Sequence, residues 1–215
     1  VYEWIASRTS GRRVLDMASG EGYGAAALAA GAREVVGVDA NPDAHEHARL
    51  RYEAANLRFE RGLVETFGDG ASFDAVVFLQ TIEHVQDPRG VLRHFRSILA
   101  PGGVAYVSTP NVLTLAPPGA AKSGNPWHLR EYRAEQFESL CGSVFDEVEL
   151  RGVFHARKLR VHELGLRLGW DRIHRRLGIT TRFYDRFTPA ISASDFAVRG
   201  GRLDGALDFL AVCRG

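Results

Sequence analysis

Apolar and polar positions change period repeatedly along the first 110 residues. Val14 and Leu15 form a short apolar run that closes on Asp16, and Glu34–Asp39 repeats the arrangement with Val35, Val36 and Val38 ahead of Asp39. Leu57–Arg61, Phe73–Leu79 and Val104–Ser108 read as three further strands. Between the strands the pattern turns helical. Ala25–Ala30 begins one helix. Asn41-Pro42 supplies an N-cap and a first-turn proline for a second, expected to run to about Ala54. Asp87-Pro88 opens a third, with Val91, Leu92, Phe95, Ile98 and Leu99 on one face, and Pro101-Gly102-Gly103 ends it. Continuous apolar strands alternating with helices specify a parallel, doubly wound α/β sheet.

The second half is less regular. Thr109–Asn125 is rich in Pro, Gly and Ala and reads as a loop. Ala134–Cys141 is expected as a helix, with Val144–Gly152 and Leu207–Arg214 as the last two strands. The expected architecture is an α/β, doubly wound, mostly parallel seven-stranded Rossmann-like sheet. About fifty residues, 153–205, separate the last two strands. Residues 155–186 hold nine Arg/Lys and three Asp/Glu, a local charge of +6, which leaves −5 on the rest of a chain whose total is +1. Leu159, Leu166, Trp170, Ile173 and Leu177 recur at helical spacing there. The reading is one domain over 1–215 with a helical insert before the last strand, its apolar stripe buried and its basic face directed outward as a substrate lid.

Composition narrows the class. The chain has 215 residues, 45% hydrophobic and 25% charged, which suits one globular domain and excludes general disorder. No uncharged apolar run approaches the roughly 20 residues of a membrane-spanning helix. Val1-Tyr2-Glu3-Trp4 shows no signal-peptide pattern, and the missing initiator Met leaves room for residues upstream. Two cysteines, Cys141 and Cys213, are too few for a disulfide framework or a thiolate zinc site, so the cytoplasm is expected.

Gly20-Glu21-Gly22-Tyr23-Gly24-Ala25 follows a strand and opens a helix. It passes for a dinucleotide fingerprint, and Asp39 stands 19 residues after Gly20, a distance suited to ribose hydroxyls. Asp16 separates two readings. A pyrophosphate at that turn would sit beside an uncompensated carboxylate. S-adenosylmethionine carries an ammonium and a sulphonium, which gain from it. A nicotinamide dehydrogenase is therefore the weaker reading.

Val14-Leu15-Asp16-Met17-Ala18-Ser19-Gly20-Glu21-Gly22-Tyr23-Gly24 resembles motif I of class I S-adenosylmethionine-dependent methyltransferases. Val36-Gly37-Val38-Asp39 resembles their ribose-binding strand end, Phe73–Val77 their fourth strand and Leu99–Gly103 the turn before their fifth. The resemblance spans residues 2 to about 152 and the final strand. It implies that Asp16, Ala18, Gly20 and Gly22 hold the methionine moiety, that Asp39 takes the ribose and that Ala40 packs beside the adenine. Ala18 replaces the usual first glycine. Leu63 and Val64 fall near the adenine, with Leu63 where an Asp is common. Leu79 ends the strand beneath the cofactor, and Tyr2 resembles an aromatic that closes over it, an N-terminal anchor being its other reading. S-adenosylhomocysteine would be the product.

The segment after the fourth strand, Leu79-Gln80-Thr81-Ile82-Glu83-His84-Val85, lacks the motifs of base-amine and cytosine-C5 enzymes. It resembles ubiquinone-pathway O-methyltransferases, which implies a small-molecule acceptor methylated at oxygen. An alcohol needs a base. His84 and His128, the latter within Trp127-His128-Leu129-Arg130-Glu131-Tyr132, are the candidates. The same residues resemble RNA 3′-end 2′-O-methyltransferases, which use such groups as metal ligands. Gln80 stands where those enzymes carry a further Glu, so the expected site is metal-free and nucleic acid is not the expected partner. The expected acceptor is a small molecule, anionic or phosphate-bearing or presented at a membrane surface. A cofactor-binding protein without activity is the remaining alternative.

Overall fold

The computed structural model describes residues 1–215 except Asp69, Pro118, Leu177 and Ile179, with the backbone alone at eight further positions between 157 and 186. A short helix, α1 (Tyr2–Ala6), precedes β1 (Arg13–Met17). The chain continues through α2 (Tyr23–Ala29), β2 (Glu34–Asp39), α3 (Pro42–Arg51), β3 (Leu57–Arg61), β4 (Phe73–Phe78), α4 (Pro88–Ile98) and β5 (Leu99–Pro110). α5 (Val112–Leu115), α6 (Ala134–Gly142) and β6 (Glu147–His155) follow. α7 (Arg157–Arg167), α8 (Trp170–Arg176), α9 (Thr180–Phe187), β7 (Phe196–Arg199) and β8 (Asp208–Arg214) complete it.

The sheet has eight strands in the order β3-β2-β1-β4-β5-β8-β6-β7. β1 to β5 are parallel, and β8 runs antiparallel between β5 and β6. The eighth strand corrects the expectation of seven. Residues Phe196–Arg199 pair antiparallel with Gly152–His155 at the sheet edge. Among the described residues the stretch between β6 and β8 therefore carries α7, α8, α9 and β7 with two 3₁₀ turns, and β6 extends to His155, inside the span expected to be insert.

Local chemistry sets the helix starts. The Asn41 side chain accepts from Asp43 N and Ala44 N, and the Asp87 side chain from Gly90 N, ahead of Pro42 and Pro88. Each bond satisfies a donor the helix itself leaves unpaired. Two apolar layers cover the two sheet faces. Leu15, Met17 and Phe78 pack with Leu92, Phe95 and Phe137 of α4 and α6 on one side. Val14, Val35 and Val77 pack with Ile5, Ala25 and Leu28 of α1 and α2 on the other.

The expected apolar stripe of the insert is not buried as a whole. Leu159 is 6% exposed and anchors α7. Leu166, Trp170 and Ile173 are 37%, 45% and 54% exposed, and Leu177 lies outside the described residues. Lys158 Nζ reaches Asp195 Oδ2 at 3.1 Å and ties α7 to the turn Ala193–Asp195 ahead of β7.

Candidate active site

The carboxyl ends of β1, β4 and β5 frame a crevice of about 630 Å³. The turn after β1 forms one wall. Ala18, Gly20 and Gly22 all have left-handed backbones, with φ of 57°, 54° and 87°. Ala18 is therefore more than a small substitute, because its Cβ is strained where glycine would not be. Gly22 has a second reason to be glycine: a Cβ would lie 2.7 Å from Ala48 Cβ. A Cβ at Gly20 would meet open space. The turn is latched to β2, since Gly20 N–H donates to Asp39 Oδ2 at 2.8 Å while Asp39 Oδ1 accepts from Asn41 N–H at 2.8 Å.

Asp16 is fully buried at the end of β1. Tyr2 donates its hydroxyl to Asp16 Oδ1 at 3.1 Å. Oδ2 has no partner. Burial pushes the Asp16 carboxyl up to about 7; the Tyr2 hydrogen bond opposes the shift and nearby Asp39 adds to it. The Tyr2 ring covers Gly24 so closely that no side chain fits there, and it meets Tyr23 edge-on at 5.5 Å. Tyr2 is thus both an anchor for α1 and a wall of the crevice.

Of the residues expected around the cofactor, Tyr2, Ala18, Gly20 and Leu79 line the crevice. Asp16 lies behind Tyr2, and Gly22 is buried in the turn. Asp39 and the exposed Ala40 follow at the end of β2. Gly62 N–H donates to the Asp39 carbonyl at 3.2 Å, which brings Leu63, 59% exposed, to the same sheet end. Val64 is half-buried against the core. Ala40, Leu63 and Val64 therefore stand beside the crevice without lining it.

Other lining residues were not anticipated, Gln80, Ser108 and Asp208 among them. Gln80 has φ 52°, and its N–H and side-chain amide both donate to Ser108 Oγ at 3.1 Å. Ser108 lines the crevice from β5. Asp208, at the start of β8, pairs across the sheet with Pro110. Burial, reinforced by Glu83, pushes its carboxyl up to about 6. Its place depends on strand pairing over about a hundred residues, so no local pattern announces it.

A 3₁₀ turn at Ile82–His84 continues from Thr81, another lining residue. Glu83 is 2% exposed, and Thr109 donates to its Oε2 at 3.1 Å. Burial raises its pKa against the hydrogen bond from Thr109 and the nearby imidazoles. Its main-chain carbonyl accepts from Leu129 and Arg130 N–H at 2.9 and 3.2 Å, which clamps the loop carrying His128. The two imidazoles meet edge-on, 5.0 Å apart. His84 Nδ1 lies 2.8 Å from the Trp127 carbonyl, and His128 Nδ1 lies 3.0 Å from Glu131 Oε1. Each Nδ1 thus carries the proton in the neutral ring, and each Nε2 is left as an acceptor. Glu131 was not singled out beforehand, although its i, i+3 spacing from His128 is a usable signal. It accepts from Ser123 N–H at 2.9 Å and from the Ser123 hydroxyl. Burial opposes ionisation of Glu131, but these bonds and the one from His128 outweigh it and lower its pKa.

Two kinds of ligand fit these residues. The buried, unpartnered Asp16 Oδ2 suits a cation above the glycine turn and disfavours a pyrophosphate. Glu83, His84 and His128 bring one ligand atom each to within 4.8 Å of one another, a spacing that could hold a divalent ion. The Gln80 amide is engaged with Ser108 and adds no charge to that set.

Comparison with known proteins identifies the family. A family model described as a methyltransferase domain matches residues 4–164. A probable S-adenosylmethionine-dependent methyltransferase of Mycolicibacterium smegmatis is 41% identical over 74% of this chain and 62% of its own length. A ubiquinone biosynthesis O-methyltransferase of Albidiferax ferrireducens is 32% identical over 75% of this chain and 69% of its own. The crystal structure of an S-adenosylmethionine-dependent methyltransferase from Mesorhizobium loti superposes over 100% of this chain and 98% of its own, with TM-score 0.62 and 17% identity, which supports the fold. The chain spans about three fifths of the mycobacterial relative's length. Its family match, its relatives and its acid-backed glycine turn lead to one assignment: the chain belongs to the S-adenosylmethionine-dependent methyltransferases.

Proposed function

We propose that this chain transfers a methyl group from S-adenosylmethionine to an oxygen of a small-molecule acceptor. The observation that carries the cofactor reading is the buried Asp16 oxygen left without a partner beside the glycine turn. Bound S-adenosylmethionine supplies an already activated methyl carbon. Asp16 compensates cationic charge, Asp39 takes ribose hydroxyls with its remaining lone pairs, and Ala40, Leu63 and Val64 contact the adenine. Ala18, Gly20, Gly22, Tyr2 and Leu79 shape the cleft. His84 or His128 accepts the acceptor's hydroxyl proton at Nε2, and Glu131 holds His128 in the required tautomer. Alignment of the reacting atoms supplies much of the rate. All of 1–215 acts as one domain, with the helices between β6 and β8 covering the acceptor side.

A second reading has one observation in its favour: the Glu83-His84-His128 cluster. It would make the enzyme a metal-dependent 2′-O-methyltransferase of RNA 3′ ends. Isothermal titration with S-adenosylhomocysteine and with NAD, each with and without manganese, separates the readings. The first predicts metal-independent binding of S-adenosylhomocysteine and none of NAD. Turnover assays across sugar, quinone, polyketide and RNA acceptors then decide the acceptor. Cofactor binding without turnover on any of them would favour an inactive binding protein.

A further inference from the structure

The helices between β6 and β8 leave an apolar face uncovered. On α7, Leu159 points to the core, while Val161 and Leu164, with Leu168 at its C-terminal cap, at spacings i, i+3 and i+7, lie on the opposite side and are 70%, 57% and 78% exposed. Trp170 and Ile173 of α8 extend the patch at 45% and 54% exposure. These five side chains and Phe187 line an open apolar recess of about 760 Å³. Monomeric proteins rarely expose a contiguous apolar surface of this kind without a use for it.

The charge around the patch points to its occupant. Residues 155–186 carry +6 while the remainder of the chain carries −5. Arg160, Arg172 and Arg176 are exposed, and among the described residues no carboxylate pairs with them. Large aliphatic groups and a tryptophan on an exposed face, with exposed arginines on the same two helices, match an anionic lipid interface, where hydrocarbon and phosphate lie at adjacent depths. A second copy of the same face would bring like charges together. No helix among the described residues is long and apolar enough to cross a membrane, so this geometry suits lying on one.

We propose that the outward face of α7 and α8 docks on an anionic lipid bilayer. The inference extends the reading of this segment as the acceptor-side cover. Ala193 lines the cofactor crevice, and its 3₁₀ turn is tied to α7 through Asp195 and Lys158. Docking therefore holds the crevice close to the membrane surface and gives it access to acceptors presented there.

The test is vesicle flotation of the full chain. The probes are phosphatidylcholine vesicles with and without about 30% phosphatidylglycerol, at low and high salt. The expected result is association with the anionic vesicles at least about tenfold stronger than with the neutral ones, weakened by salt. L164E/L168E and R172E/R176E should each lose about tenfold or more. These positions are exposed, and unchanged S-adenosylhomocysteine titration checks that the variants fold. The proposal is overturned if the wild type does not float, if L164E/L168E floats equally well, or if light scattering shows a dimer that L168E dissociates. It is also overturned if single-stranded RNA, and no vesicle, is retained by the wild type. Flotation in a protein whose acceptor turnover ignores these substitutions supports docking and removes only the acceptor-side reading.

Discussion

The Tyr2 hydroxyl lies 3.1 Å from Asp16 Oδ1, so one oxygen of a fully buried carboxylate is paired and the other is not. The two residues belong to α1 and β1, and their contact closes the helix over the strand end where the cofactor reading needs a negative charge. The protein supplies one hydrogen bond to this carboxylate, and the proposed cofactor reading gives the second oxygen to a ligand.

Asp16 titrates near 7 in the folded protein against an ordinary value of 3.8. The native state therefore binds the proton more tightly than the unfolded chain does. The stability of the ligand-free protein should fall as pH rises from about 4 to about 7, then level off. Asp16→Asn should flatten that slope, measured as denaturation midpoint against pH. Asp208, raised to about 6, contributes in the same direction and should leave a residual slope.

If Asp16 faces the cofactor as proposed, the same titration sets ligand affinity. S-adenosylhomocysteine, which carries an ammonium, should bind more tightly at pH 8 than at pH 6, because Asp16 becomes charged over that interval. Asp16→Asn should weaken binding at pH 8 by about tenfold or more and erase the pH effect, read by calorimetry. Equal wild-type affinity at both pH values would remove Asp16 from the cofactor site.

On the proposed reading Asp39 has two duties. Its carboxylate already accepts from Gly20 and Asn41. Asp39→Ala should therefore weaken cofactor binding by about tenfold and also lower stability by about 1–3 kcal/mol. A pure ribose ligand would show the first effect alone.

The glycine turn separates stability from binding. Ala18→Gly should stabilise the fold by up to about 1 kcal/mol, since the native φ is left-handed. Gly22→Ala should destabilise by about 2–4 kcal/mol through collision with Ala48 and Phe59. Gly20→Ala has room in the structure and should cost about 1 kcal/mol of stability while losing most cofactor affinity. Paired melting and titration experiments on the three variants check the order.

His84→Ala and His128→Ala should keep S-adenosylhomocysteine affinity and lose about 10²–10⁴ in turnover if either imidazole is the base. Glu131→Gln should show a smaller loss for the His128 route only. Full turnover in both histidine variants would leave the proton acceptor elsewhere in the crevice.

Many local signals in the chain reached the structure, although β5 already begins at Leu99, which the pattern placed on the helix before it, and α5 lies within the expected loop. β2 and β3 fall on the residues expected, and Asn41 and Asp87 cap their helices as their side chains dictate. α3 ends at Arg51, short of Ala54, because Tyr52 already has an extended backbone. What stayed hidden depends on distant partners. β7 is four residues, Phe196–Arg199, with too little alternation to read alone, and exists by pairing with β6. Asp208 reaches the crevice because β8 lies beside β5. The uncovered stripe of α7 could not be told from a buried one, since spacing reveals a face and not what meets it.

The partial reach of β7 along β6 has a consequence for solubility. β7 pairs only with Gly152–His155, so the stretch Glu147–Arg151 of β6 forms the open rim of the sheet. That rim carries Glu147, Glu149 and Arg151, whose charges discourage another chain from adding a strand there. The apolar stretch Gly152-Val153-Phe154 has no such charge and is the part that β7 shields. A truncation that removes the segment between β6 and β8 would therefore do more than strip off helices. It would expose an adhesive edge, and the shortened protein should aggregate even with its cofactor crevice intact.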